Sequence, residues 1–185
     1  MPTSPIEIHG YAIITDDDRI AGADGATPQA LRNEADWLNF QRELDRADLI
    51  VLGRLGHAAN PNLKRRRRLV VSGGARGLER RAEELWWNPT AAPWSVVSAV
   101  LLPAGGRVAI PGGRGVFDLF LAIGYDAFHL TRADGATAPG GRALFSACDK
   151  GLSAEAVLSG AGLTASETRV LDAAANVTLT IWRRA

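Results

Sequence analysis

Apolar and β-branched residues fill positions 6–15 and stop at Asp16-Asp17-Asp18, the profile of a strand closed by a polar turn. Positions 19–28 are rich in Gly and Ala without a period and predict a loop, ending at Pro28 where a helix can start. From 29 to 46 the pattern is helical. Leu31, Ala35, Leu38 and Arg42 share one face, with Asp36 and Phe40 close beside it. Short apolar runs at 48–52 and 69–71 suit strands buried on both faces. They end at Gly53 and at Ser72-Gly73-Gly74, and the stretch between them, with Asn60-Pro61, predicts a loop. Residues 82–87 fit no single element. Ala92-Pro93 opens a short helix reaching Leu101. A strand at 107–110 is broken by Pro111-Gly112-Gly113, and a helix at 115–123 turns Val116, Leu119 and Phe120 inward. A strand at 126–131, a helical turn at 153–158 and an alternating pair at 167–171 and 176–182 complete the pattern.

Strands alternating with helices predict an α/β fold with a central, mostly parallel sheet flanked by helices. The last pair forms an antiparallel hairpin at its edge. There is no internal repeat. In such sheets ligands bind outside the carboxyl ends of the strands. Here those ends carry the Asp16–Asp18 turn, Gly53-Arg54, Ser72-Gly73 and Pro111-Gly112-Gly113-Arg114.

With 185 residues the expectation is a single domain over 1–185. Hydrophobic residues at 46% and charged residues at 22% are ordinary globular values. A net charge of +1 gives no overall field that would collect nucleic acid or acidic lipid. One cysteine, Cys148, and three scattered histidines argue against a disulfide or a metal cage, so no metal is expected. No apolar run approaches the roughly 20 residues of a membrane span. The start, Met1-Pro2-Thr3-Ser4-Pro5, lacks the charged and apolar segments of a signal peptide. A cytoplasmic protein, monomer or homodimer, without membrane or nucleic-acid partners is the expectation.

Three strand-end turns can receive anions. At Gly112-Gly113-Arg114-Gly115-Val116 a strand ends, glycines turn the chain and a helix begins, so bare amides and the helix N-terminus face outward. A tight turn that simply needs glycine is the competing explanation. Gly53-Arg54 and Ser72 offer arginine, serine and glycine backbone to phosphate. Together the turns suit a phosphorylated dinucleotide, with Arg54 and Arg76 as candidates for an extra 2′-phosphate. Asp36, one helical turn before Phe40, can be a desolvated carboxylate that pairs with a protonated heterocycle, or an ordinary surface acid. The run Lys64-Arg65-Arg66-Arg67-Arg68 lacks interleaved aromatics, so one arginine holding a substrate carboxylate is favoured over nucleic acid.

Taken in order, these residues resemble the dihydrofolate reductase superfamily, which includes the reductase domain of bacterial riboflavin biosynthesis. The resemblance runs from Tyr11 to Arg183. It rests on Asp18-Arg19-Ile20-Ala21-Gly22, Asp36 with Phe40, Ile50-Val51-Leu52-Gly53-Arg54, Leu63 with the following arginines, Leu69-Val70-Val71-Ser72, Gly112 to Phe117, and Leu130-Thr131. It implies a reductase using NADPH, which Gly22, Gly53, Arg54, Ser72, Arg76 and Gly112–Val116 would hold. It also implies a heterocyclic substrate, with Asp36 as the catalytic carboxylate and Ile14, Phe40, Arg66 and Thr131 around it. Arg66 matches the arginine that grips the glutamate tail of folate, and Gly112-Gly113 the place of a cis peptide.

Some positions depart from the dihydrofolate reductase pattern. Gln29 follows the loop proline, Gly56 stands where a threonine is usual, and Gly140-Gly141-Arg142 replaces a Gly-Asp-Thr turn. Thr15 to Ala21, Ala47-Asp48, Asn60-Pro61-Asn62-Leu63 and Gly140 to Phe145 lean toward the riboflavin branch. Dihydrofolate is the first candidate substrate, a riboflavin-type pyrimidine the second. A non-catalytic dinucleotide-binding protein is the third possibility.

Overall fold

The computed structural model describes residues 4–185; Met1-Pro2-Thr3, the start of the segment inspected for a leader, lies outside them. The chain opens with β1 (Ile6–Ile14) and a short β2 (Arg19–Ala21). A 3-10 turn at Gln29–Leu31 precedes α1 (Glu34–Asp45), β3 (Leu49–Gly53), α2 (Arg54–Ala59) and β4 (Arg68–Val71). Next come β5 (Leu78–Arg81), β6 (Glu84–Trp87), α3 (Trp94–Leu101), β7 (Gly106–Gly112), α4 (Arg114–Ile123) and β8 (Ala127–Ala133). The chain ends with β9 (Arg142–Ala143), a 3-10 segment at Ser146–Lys150, α5 (Ala154–Gly160), β10 (Leu163–Asp172) and β11 (Val177–Arg184).

Nine strands form one sheet in the order β10-β11-β8-β1-β7-β3-β4-β6-β5. From β8 to β6 every neighbouring pair is parallel. The C-terminal hairpin adds β11 antiparallel to β8 and β10 antiparallel to β11, while β5 closes the other edge antiparallel to β6. This is the expected α/β architecture. β2 and β9 form a separate two-stranded ribbon.

The apolar runs explain the layering. In β3 every residue from Leu49 to Leu52 is buried, because both faces of the sheet are covered. Leu49 and Val51 pack with Val97 and Leu101 of α3 and with Phe117 and Phe120 of α4. Ile50 and Leu52 face the opposite way and pack with Tyr11, Phe40 and Leu44, under α1.

Several elements differ from the sequence pattern. The helix expected over 29–46 is interrupted: the Asn33 side chain accepts the Asp36 amide at 3.0 Å and caps α1 afresh. Its inward residues are Asn39, Glu43 and Leu44, whereas Leu38 is 54% exposed. Polar partners make that face stable: the Tyr11 hydroxyl donates to Glu43 at 3.3 Å and Arg169 donates to Asn39 at 3.3 Å. In α4, Phe117 takes the buried place expected of Leu119. α2 lies in what reads as loop. The β5–β6 hairpin turns through Ala82 at φ 51° without the glycine that would signal it. β10 begins at Leu163, and residues 164–170 are exposed, so no buried alternation marks its first half.

Candidate active site

The carboxyl ends of β7, β3 and β4 lie side by side in the sheet. A Cβ added to Gly53 would stand 3.5 Å from Val116 Cγ2 and 3.8 Å from the Gly113 nitrogen, so the turns after β3 and β7 touch. Gly112 has φ 109°, and a Cβ there would meet the Phe117 ring at 2.7 Å; only glycine fits. The Gly112–Gly113 peptide is cis, as the resemblance implies. Gly113 precedes α4, and among the described residues no side chain caps that helix. A Cβ on Gly113 or Gly115 would meet nothing within 4 Å, so the space outside these amides is open. The Val116 amide is engaged, donating to Gly113 O at 2.9 Å. The amides of Gly113, Arg114 and Gly115, at the positive end of the helix with room in front, can form an anion cradle.

The side chains around this edge divide into free and engaged. Arg54 and Arg76 are exposed, and their guanidinium groups have no polar partner among the described residues. Ser72 Oγ accepts the Gly74 amide at 3.3 Å, shaping its own turn. Arg114 is engaged: its Nη1 is 2.8 Å from Asp149, which also binds Arg19. Arg19 and then Arg114 hold the Asp149 carboxyl below the usual range. Arg114 therefore offers its backbone more than its charge. Gly22 sits in a tight turn, its amide donating to Ala26 O at 2.8 Å. The unengaged amides and the two free arginines fit a phosphorylated dinucleotide.

Of the substrate candidates, Asp36 and Phe40 lie on α1, Thr131 on β8 and Arg66 against α1, while Ile14 faces the other way. Asp36 is half-buried; burial pushes its carboxyl up, and the Thr131 hydroxyl works the other way. It has no ion-pair partner among the described residues. Thr131 is buried on β8, in register with Ile13 of β1 and Leu179 of β11. The Phe40 ring lies 6.1 Å from Tyr11 and 6.0 Å from Trp37. Ile14 is fully buried, with its side chain in the core on the opposite face, so only its backbone can serve a ligand. Arg66 reaches α1 rather than open space, with Nη2 at 2.6 Å from Asp45 and 2.8 Å from Gln41.

The basic run does not form one patch. Lys64 and Arg66 meet Asp45, Arg67 donates to Leu101 O at 2.6 Å, and Arg68 donates to Asn60 O at 2.7 Å. Elsewhere, a hollow of about 380 Å³ between Trp94, Asp126 and Arg184 does not include Asp36. No helix among the described residues is long and apolar enough to cross a membrane.

One group escaped sequence reasoning. Beneath α1 the His129 ring stacks 4.5 Å from Tyr11 and 5.6 Å from His9. Glu43 accepts from Tyr11 and from Arg46 at 2.8 Å. Neither ring nitrogen of His129 has a hydrogen-bond partner among the described residues, and burial, helped by His9 and nearby arginines, lowers its pKa to about 3. The available signal was alternation: His9 with Tyr11, and His129 with Thr131, are spaced to share one face of the sheet.

No protein-family model matches the chain, and no curated protein matches it in sequence. Solved structures share the fold. A diaminohydroxyphosphoribosylaminopyrimidine deaminase/5-amino-6-(5-phosphoribosylamino)uracil reductase of Thermotoga maritima matches with TM-score 0.68 at 17% identity, over 98% of this chain and 57% of that one. The present chain thus spans little more than half of that protein. Dihydrofolate reductase of Enterococcus faecalis, complexed with NADP(H) and RAB-propyl, gives 0.64 at 17% identity over 96% of each chain. A putative riboflavin biosynthesis protein of Shewanella sp. PV-4 gives 0.67 at 16% identity over 97% and 99%. The fold is that of dihydrofolate reductases and riboflavin-pathway reductases.

Proposed function

We propose that the chain is an NADPH-dependent reductase that delivers a hydride to a C=N or C=O bond of a pterin-type heterocycle. Asp36 carries this reading. A half-buried carboxylate without an ion-pair partner, beside Phe40 and Thr131, stands near an edge suited to phosphates. Such a group gains most from a cationic or N–H-rich ring, so it binds the heterocycle and favours its protonated form. Phe40 supplies an apolar wall that limits water. On the other side Gly53, Ser72 and Gly112–Gly115 would hold the pyrophosphate with backbone groups, Val116 would close the first turn behind them, and Arg54 and Arg76 would hold the 2′-phosphate. NADPH, when bound, supplies the hydride; the protein aligns the two rings.

A riboflavin-type pyrimidine is the second substrate class, supported by the engagement of Arg66 with Asp45. The test is loss of NADPH absorbance with dihydrofolate, with a dihydropterin lacking the glutamate tail, and with a ribosylaminopyrimidine. Oxidation with at least one, slower with NADH, is expected, and Arg54→Ala with Arg76→Ala should narrow the nucleotide gap. Nucleotide binding without oxidation of any of the three would leave a non-catalytic dinucleotide-binding protein.

A further inference from the structure

We propose that Asp45 determines specificity by closing Arg66 to substrate carboxylates, so that the α1 groove takes a heterocycle with no acid group at its distal end. This rests on the assignment of the α1 side as the substrate side. At about 1.5 Å per residue, Gln41 stands ~7.5 Å and Asp45 ~13 Å beyond Asp36 along the helix, where the far end of a ring-bearing substrate falls. An arginine here is the natural grip for a tail carboxylate, since its fork binds two oxygens at once.

The Arg66 fork is already filled. Nε lies 2.9 Å and Nη2 2.6 Å from Asp45 Oδ1, and Nη2 also reaches Gln41 Oε1 at 2.8 Å. The side chain is only 13% exposed. Its backbone is fixed as well: Asn62 Oδ1 accepts the Arg66 amide at 3.0 Å, and Asn62 Nδ2 donates to Arg66 O at 2.7 Å. Lys64 holds the other Asp45 oxygen at 2.9 Å.

A substrate carboxylate would have to displace a chemically equivalent group. Asp45 is half exposed, so its pairing is not strong in itself. Its advantage is tethering, because a group on the same chain competes at an effective concentration that a dilute ligand cannot match. The Nη1 corner left over accepts one oxygen at most. The Arg66–Asp45 pair therefore works as a strut joining the 60–67 loop to α1.

The experiment measures binding of p-aminobenzoylglutamate, a dicarboxylate tail without a heterocycle, by calorimetry to wild type, Asp45→Ala and Asp45→Ala/Arg66→Ala, with folding checked by circular dichroism. Asp45→Ala should bind about tenfold to a hundredfold more tightly than wild type, the range of a charge-assisted hydrogen bond, and the second substitution should remove the gain. A gain below about threefold, the scale of an exposed ion pair, overturns the proposal. So does a gain that survives Arg66→Ala. If Asp45→Ala fails to fold, Asp45→Asn keeps the shape and removes the charge, and the same threshold applies. Failure of NADPH oxidation with every heterocycle would remove the reductase function but leave this gain intact. A missing gain would remove the Asp45 role but leave hydride transfer untouched.

Discussion

Asp36 holds its charge at a cost in the free protein. Its carboxyl binds a proton more tightly when folded than unfolded, because burial disfavours the anion. Its favourable contribution to stability is therefore complete below the unfolded pKa and lost as pH rises through the folded one. Near neutral pH, Asp36→Asn should raise the melting temperature while lowering turnover roughly 10²-fold or more, the usual loss of an acid–base group. Calorimetric melting and steady-state rates on one preparation check both. A lower melting temperature with normal turnover would make Asp36 an ordinary structural acid. His129 shifts the opposite way: its pKa falls from 6.5 to about 3 on folding. The unfolded chain then binds more protons, so stability is lost progressively as pH drops below 6.5. His129→Phe keeps an aromatic ring on Tyr11 and should flatten melting temperature against pH between about 6.5 and 4. An unchanged profile would place the acid sensitivity elsewhere. Asp36 was legible because its spacing to Phe40 is local. The closure of Arg66 was not, because Asp45 lies on another element and only the tertiary fold brings them together.

The strand-end turns are the elements most plainly written in the sequence, since glycines there answer to backbone geometry. Gly112 is required by its positive φ and by the Phe117 ring, while Gly115 faces open space. The two therefore separate folding from binding. Gly115→Asp puts a carboxylate in the first turn of α4, which stabilises an exposed helix by about 0.3–1 kcal/mol, yet sets a like charge before an incoming phosphate. The variant should melt no lower than wild type and lose most NADPH-dependent thermal stabilisation. Full retention of that stabilisation would move the phosphates away from α4. Elements whose signals are tertiary were missed. The start of α1 depends on the Asn33 cap, which a continuous apolar period across 29–46 hides. The β5–β6 turn runs through Ala82 rather than glycine, and α2 has no buried residue to give it a period.

Across the whole molecule, the alternation of apolar runs and helices was enough for a mostly parallel sheet with an antiparallel C-terminal hairpin. Runs such as Leu49–Leu52 are apolar throughout because α3 and α4 cover one face and α1 the other. The first strand of the hairpin reads shorter in the sequence because residues 164–170 of this edge strand are all exposed and leave its start at Leu163 without a buried alternation. That architecture sets the glycine turns after β3 and β7, the proposed phosphate cradle, at one edge of the sheet and carries Asp36 on α1 over one of its faces. The most direct measurement uses NADPH carrying deuterium at the transferable position, incubated with each candidate heterocycle, with the products weighed by mass spectrometry. One deuterium in the reduced product with wild type, and at least a hundredfold less (about the general acid–base range) with Asp36→Asn, is the predicted result. NADPH that binds and stabilises the protein but delivers no deuterium to any of these rings would contradict it.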